Sequence, residues 1–271
     1  MKILFFCPRW GTDNLSWDTF FKKIKDAGYD GVETGLPLNK KEQEPIFNGL
    51  EKHGLKLIAQ HWETVHSDFE KHIGEYNNRL NSLVESKALF INSQTGKDYY
   101  SIEQNEKLLL LAKSISDEKG VPILHETHRG KFSFAAHVTK VFLEKHPWLK
   151  ITLDISHWCT VAETFLNDQP ESLEYAILGT EHIHARVGHT QSPQVTDPRV
   201  NEWGEALDFH LKCWDNVIDL QRKRGKEYFT ITPEFGPTPY MQLKPGTNEP
   251  VSNQWKCNLY MKEILEKRYK V

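Results

Sequence analysis

Two periodicities alternate along the chain. Short runs rich in apolar and β-favouring residues are each followed by a longer stretch with an apolar residue at every third or fourth position. The short runs fall at Ile3–Cys7, Gly31–Gly35, Lys56–Gln60, Ala88–Ser93, Val121–Glu126, Ile151–Asp154, His182–Arg186 and Tyr228–Glu234, and they predict eight strands. Between them, Trp17, Phe20, Phe21, Ile24 and Ala27 place an apolar stripe on one face of a helix. Ser67-Asp68-Phe69-Glu70 and Ser101-Ile102-Glu103-Gln104 both read as capping boxes that open helices. Gly28, Gly54, Gly120 and Gly225 each follow a charged helix end and precede a strand, where a glycine can turn left-handed and stop the helix.

Strand, helix, glycine, strand, repeated through the chain, is a succession of right-handed βαβ units on a parallel sheet. The α/β class is therefore expected, as a single (β/α)8 TIM barrel spanning residues 1–271. A doubly wound open sheet is the rival, but the Gly-x-Gly-x-x-Gly fingerprint it often carries is absent after the first strand. No low-complexity linker divides the chain. Its longest unpatterned segment, about Gly188–Asn201, reads as a functional loop.

Composition narrows the partners. Apolar residues are 38% and charged residues 26%, enough to bury a sizeable core, and the formal net charge of −3 carries no footprint for nucleic acid or an anionic membrane. Cys7, Cys159, Cys213 and Cys257 lie far apart with no CxxC pair, which predicts reduced thiols rather than disulfides or a cysteine zinc site. The opening MKILFFCPRW has too short an apolar run for a secretory signal, and no run reaches membrane-spanning length. A cytoplasmic protein is expected, with a homo-oligomer an open option.

The candidate chemistry lies at the carboxyl ends of the strands, where the active site of a (β/α)8 barrel sits. The fifth strand, VPILHE, ends on Glu126, and the sixth, ITLD, ends on Asp154 with His157 three residues on. The seventh places His182, His184 and Arg186 on one face, and the eighth ends on Glu234. A strand-end carboxylate is usually a helix cap or a rim ion pair, and a lone histidine is usually ordinary surface or core. Four successive strands delivering metal-competent groups to one rim is a different pattern. Three carboxylates converging there repel one another unless a cation neutralises them. One divalent metal is expected; the oxygen-rich set favours Mn2+ or Mg2+, with Co2+ or Zn2+ as alternatives.

HETHRG, LDISHW, HIHARVGH and PEFGP resemble the ligand-bearing strand ends of the xylose isomerase-like TIM-barrel superfamily, and within it the ketose 3-epimerases and related sugar or sugar-phosphate isomerases. The resemblance implies that Glu126 and Glu234 are both metal ligands and catalytic acid–base groups. It implies that Asp154 and His184, the second histidine of a His-x-His pattern, complete the metal shell, and that His157 contacts substrate. The activity implied is isomerisation or epimerisation of a small carbohydrate by proton transfer through a metal-stabilised enediolate. The residues after His184 depart from the epimerase pattern, so the sugar is not specified. The absence of a glycine-rich phosphate signature favours an unphosphorylated one.

Further substrate contacts are expected from His61 beside Trp62, from His128 two residues past Glu126, and from Arg186, which could equally pair with an acidic ligand. Glu33 could orient His61, and Trp10 could line the pocket. Arg199 and the Arg222-Lys223-Arg224 cluster read as solvated surface. Two rivals use the same frame. An apurinic-site endonuclease would exploit Asp154-x-x-His157 and His61 but needs several zinc ions and a basic groove; an inosose dehydratase or hydroxypyruvate isomerase would use the same metal and glutamates. A non-catalytic sugar-binding barrel would not need both glutamates.

Overall fold

The computed structural model describes residues 1–270. Eight strands pair in sequence order, all parallel, and the last closes on the first: β1 Lys2–Pro8, β2 Gly31–Thr34, β3 Lys56–His61, β4 Ile91–Ser93, β5 Ile123–Glu126, β6 Ile151–Leu153, β7 Thr180–His184 and β8 Tyr228–Thr232. Helices on the outside connect them, as the predicted (β/α)8 architecture requires.

Period-two alternation sorts the strand side chains into two layers. On β1, Phe5 and Cys7 point outward into the large core under the helices, whereas Leu4 and Phe6 point inward. With Ile58, Phe90 and Leu124 they form a small apolar plug in the barrel. Gly31 makes room for that plug: a Cβ there would stand 2.3 Å from the Lys56 carbonyl and 2.5 Å from the Phe6 ring. Above the plug the inward positions turn polar, and this change of character sets the site at the carboxyl end.

The helix Trp17–Asp26 buries Phe20, Phe21 and Ile24 as the stripe predicts, with Ser16 capping its start. The Ser101 capping box forms in both directions, Gln104 N to Ser101 Oγ at 3.2 Å and Ser101 N to Gln104 Oε1 at 3.0 Å. The four glycine stops all have positive φ.

Several expected boundaries shift. The helix Phe69–Val84 is capped by Asp68, not Ser67; the Asp68 carboxylate accepts from the Lys71 amide at 2.9 Å. Strand β8 ends at Thr232 because Pro233 has no N–H to continue the ladder, and β5 begins after Pro122 for the same reason. Strand β6 stops at Leu153 because Asp154 caps the next helix. Strand β7 starts at Thr180 and ends on His184, two residues earlier at each end than the sequence pattern suggests.

The Gly188–Asn201 segment, expected to be a functional loop, does not line the central cavity. Its buried Gln194 instead clamps Gly236, accepting from its N–H at 2.7 Å and donating to its carbonyl at 3.2 Å. All four cysteines are free and buried. Among the described residues, no helix is long and apolar enough to cross a membrane.

Candidate functional site

Each predicted metal ligand stands where its strand hands over to a loop. Glu126 is the last residue of β5, His184 the last of β7, Asp154 directly follows β6, and Glu234 lies two residues beyond β8. Ligand atoms of Glu126, Asp154, His184 and Glu234 all lie within 4.8 Å of one another, and all four residues are buried. Of the two histidines on β7, it is His184 that joins the three carboxylates. His182 sits one layer lower, its ring 5.2 Å from Phe90 of the apolar plug.

His184 is oriented from below. Its Nε2 meets Glu33 Oε1 at 2.9 Å; a carboxylate only accepts, so Nε2 carries the proton and Nδ1 keeps its lone pair in the neutral ring. That Nδ1 stands 2.8 Å from Glu234 Oε2 and 3.7 Å from Glu126 Oε1, yet has no hydrogen-bond partner. Glu33 also accepts from Asn92 Nδ2 at 2.8 Å and Thr232 Oγ1 at 2.6 Å, and lies 3.3 Å from His182 Nε2. Asn92 and Gln94 reach Glu126 Oε2 at 3.3 Å and 3.2 Å.

Asp154 is the most fully engaged of the four. Its Oδ1 accepts from the Ser156 N–H and hydroxyl, and its Oδ2 pairs with the Arg186 guanidinium. Arg186 is buried and lies 3.6 Å from Glu234 as well, so the sequence alternative of pairing with an acidic ligand is the one adopted.

The charge count decides what the cluster requires. Four buried carboxylates (Glu33, Glu126, Asp154, Glu234) face one buried guanidinium, which leaves three negative charges uncompensated if His184 is neutral. Without a cation the balance shifts to protons. Burial disfavours a charged His184, but Glu234, Glu33 and Glu126 outweigh it and raise its pKa well above the ordinary value. Burial pushes Glu126 up, yet His184 holds it down at about 2. For Glu234, burial prevails over His184 and Arg186, and its pKa is raised. Oxygen-rich donors, a bare imidazole nitrogen and excess negative charge together fit a divalent cation.

The remaining predicted residues divide. His128 lines the cavity; its Nδ1–H donates to the Arg129 carbonyl at 2.6 Å, leaving Nε2 facing the Tyr240 hydroxyl at 3.5 Å. Burial lowers its pKa, which keeps the ring neutral. His157, fully buried and not on the cavity wall, lies against it with ring centroids 3.9 Å apart and planes tilted by 50°, and accepts from Arg186 at 2.9 Å. His61 departs from expectation. Its two ring nitrogens are taken by Ser93 Oγ at 2.9 Å and Thr64 Oγ1 at 2.7 Å, and the buried ring does not line the cavity. Its neighbour Trp62 occupies the wall instead, and Glu33 orients His184 rather than His61. Sequence reasoning missed Asn92, Gln94 and Tyr240. Asn92 and Gln94 carried a signal, two amides at the end of an otherwise apolar strand, but Tyr240 in an irregular loop carried none.

Above the cluster opens a cavity of about 1270 Å3, walled by Glu126, His128, Arg186, Glu234, Trp62 and Tyr240 among others. The chain is similar in structure to 3-keto-D-glucoside 4-epimerase from E. coli (TM-score 0.62, 13% identity, 98% of this chain and 100% of that one). A xylose isomerase-like TIM barrel protein from Mycobacterium smegmatis in complex with magnesium matches with TM-score 0.64 at 11% identity, covering 98% of each chain. A sugar phosphate isomerase/epimerase from Parabacteroides distasonis matches with TM-score 0.60 at 12% identity, over 98% of this chain and 93% of that one. The chain shares the (β/α)8 barrel fold of these proteins. A probable 3-DHS dehydratase and an endonuclease IV are similar in structure too, so the fold does not by itself choose a reaction. No family model and no curated protein matches the sequence.

Proposed function

We propose that the protein is a metal-dependent isomerase or epimerase of a small carbohydrate, moving a proton at a carbon beside a carbonyl with Glu126 and Glu234 as the acid–base pair. The observation that carries this reading is the convergence of four ligand atoms within 4.8 Å at the floor of a cavity. A divalent cation held by Glu126, Asp154, His184 and Glu234 would act as a Lewis acid on two neighbouring substrate oxygens and acidify the C–H beside the carbonyl. The donor set favours Mn2+ or Mg2+, and magnesium is the ion in the Mycobacterium smegmatis neighbour.

The chain's own residues supply the proton chemistry. Glu126 and Glu234 are the two carboxylates of the cluster placed to take and return the proton. Both line the cavity, Glu126 from β5 and Glu234 from beyond β8, so they can meet a bound sugar from different sides. Neutral His128 offers its Nε2 to a hydroxyl, and Arg186, fixed on Asp154, presents a permanent charge to a developing oxyanion. The nuclease reading loses support because His61, one of the further ligands it would use, has both nitrogens occupied.

The test is proton exchange with solvent. Candidate ketoses and aldoses are incubated with Mn2+-loaded protein in D2O and followed by NMR. Deuterium should enter the carbon beside the carbonyl of a substrate, and Glu126→Gln and Glu234→Gln should each abolish it. Exchange at the wild-type rate in either variant contradicts the assignment.

A further inference from the structure

The cavity is larger than one reaction centre needs. Pockets for drug-sized ligands run to about 300–1,000 Å3, and this one is about 1270 Å3. It extends from the carboxylate cluster to the loops after β1 and β2, where Arg9, Trp17 and Pro37 form its wall.

Arg9 directly follows β1 and is only 8% exposed. Its guanidinium sits in the corner of two nearly perpendicular rings, 4.4 Å from the Trp17 centroid and 4.7 Å from that of Phe20. Nη2 donates to the Leu15 carbonyl at 2.5 Å. Nη1 is buried and has no partner. Among the described residues three arginines are buried: Arg186 is paired with Asp154 and Arg79 with Glu63, but Arg9 makes no ion pair. Burial lowers its pKa, and Asp13, exposed and beyond ion-pair reach, offsets this only in part.

A buried guanidinium with an unsatisfied N–H is costly unless something else binds it. The two ring contacts and the Leu15 hydrogen bond hold the side chain in place, so little of its entropy is left to lose when an acceptor arrives. Carboxylate and phosphate oxygens match that fork, and Arg9 is already desolvated to receive them.

We infer that the β1 end of the cavity is a subsite for an anionic group of the substrate, a carboxylate or a phosphate remote from the reacting carbon, and that Arg9 binds it. This rests on the same cavity holding the reaction centre proposed above. It narrows the substrate to an acidic or phosphorylated carbohydrate. The missing glycine-rich signature is consistent with this, because a side chain rather than a backbone cradle does the binding.

The experiment is calorimetric titration of chelator-treated protein with inorganic phosphate, with D-gluconate and with uncharged sorbitol. Wild type is compared with Arg9→Met, Arg9→Lys and Glu234→Gln, each checked for folding by near-ultraviolet circular dichroism. Phosphate or gluconate should bind wild type, and their relative affinities tell which anion the subsite prefers. Binding should weaken about tenfold or more in Arg9→Met, the scale of one charged hydrogen bond, and persist in Glu234→Gln. If Arg9→Met does not fold, Arg9→Lys decides, since it keeps the charge but loses the fork; weakened binding supports the subsite and unchanged binding overturns it. Anion binding lost in Glu234→Gln but kept in Arg9→Met places the anion in the carboxylate cluster and overturns the inference, as does no binding of either anion or equal binding of sorbitol. Anion binding that follows Arg9 while no sugar exchanges a proton would remove the reaction and leave the subsite. Proton exchange without Arg9-dependent anion binding would do the reverse.

Discussion

Replacing Glu33 with glutamine tests how the barrel prepares the site from beneath. Glu33 touches no cavity, yet its two oxygens serve His184, Asn92, Thr232 and His182 at 2.9, 2.8, 2.6 and 3.3 Å. Glutamine keeps the shape and one acceptor oxygen but removes the charge. Hydrogen bonds to a charged group contribute about 1.5–3 kcal/mol against about 0.5–1.5 for neutral pairs, so each contact loses about 1 kcal/mol. Four such losses do not add fully, and removing one carboxylate relieves repulsion within the cluster. The expected cost is therefore about 1–3 kcal/mol, measured by urea denaturation in the presence of chelator. A second effect is separate from stability. A neutral partner makes His184 a weaker base and no longer enforces the Nε2–H tautomer, so Mn2+ affinity should fall about 10- to 100-fold by calorimetry. Unchanged metal affinity in a folded Glu33→Gln protein would refute the claim that Glu33 positions His184.

Other perturbations have equally definite outcomes. Arg186→Met should destabilise the chelated protein by about 3–5 kcal/mol in urea, because it strands the buried Asp154 carboxylate; a cost under about 1 kcal/mol would mean the pair is not formed in solution. Leu124→Ala, in the apolar plug, should cost about 2–5 kcal/mol by the same assay. His210 is buried with its pKa lowered by burial to about 4, so the folded state resists a proton that the unfolded chain takes up near 6.5. Its contribution to stability is complete above pH 6.5 and falls by about 1.4 kcal/mol per pH unit from there to pH 4. His210→Gln should flatten that part of the acid limb, measured as unfolding free energy against pH.

The barrel could be read from the chain because its determinants are local. Alternation on β1 separates Phe5 and Cys7 from Leu4 and Phe6 within a few residues, and the glycine stops mark each return to the sheet. The rim carboxylates were legible for the same reason: Glu126, Asp154 and Glu234 each close an apolar run at the end of a strand. What lay outside the pattern is contact across the barrel. Glu33 meets His184 from 151 positions away, and nothing near either residue in sequence indicates it. For His61 the sequence shows a position beside the rim but not the direction of the ring, which Ser93 and Thr64 hold off the cavity wall. Arg9 follows a proline at a strand end like many a surface arginine. Only the folded Trp17 and Phe20 rings show it to be buried.

The most direct test of the account is titration of chelator-treated protein with Mn2+ by calorimetry, beside His184→Ala and Glu234→Gln. The account predicts one ion per chain in wild type and no binding, or binding weakened at least about 10- to 100-fold, in both variants. No binding in wild type, or equal binding in all three proteins, would mean that the four converging side chains are a charge network closed by Arg186 and a protonated His184. The proposed proton-transfer chemistry would then have no centre.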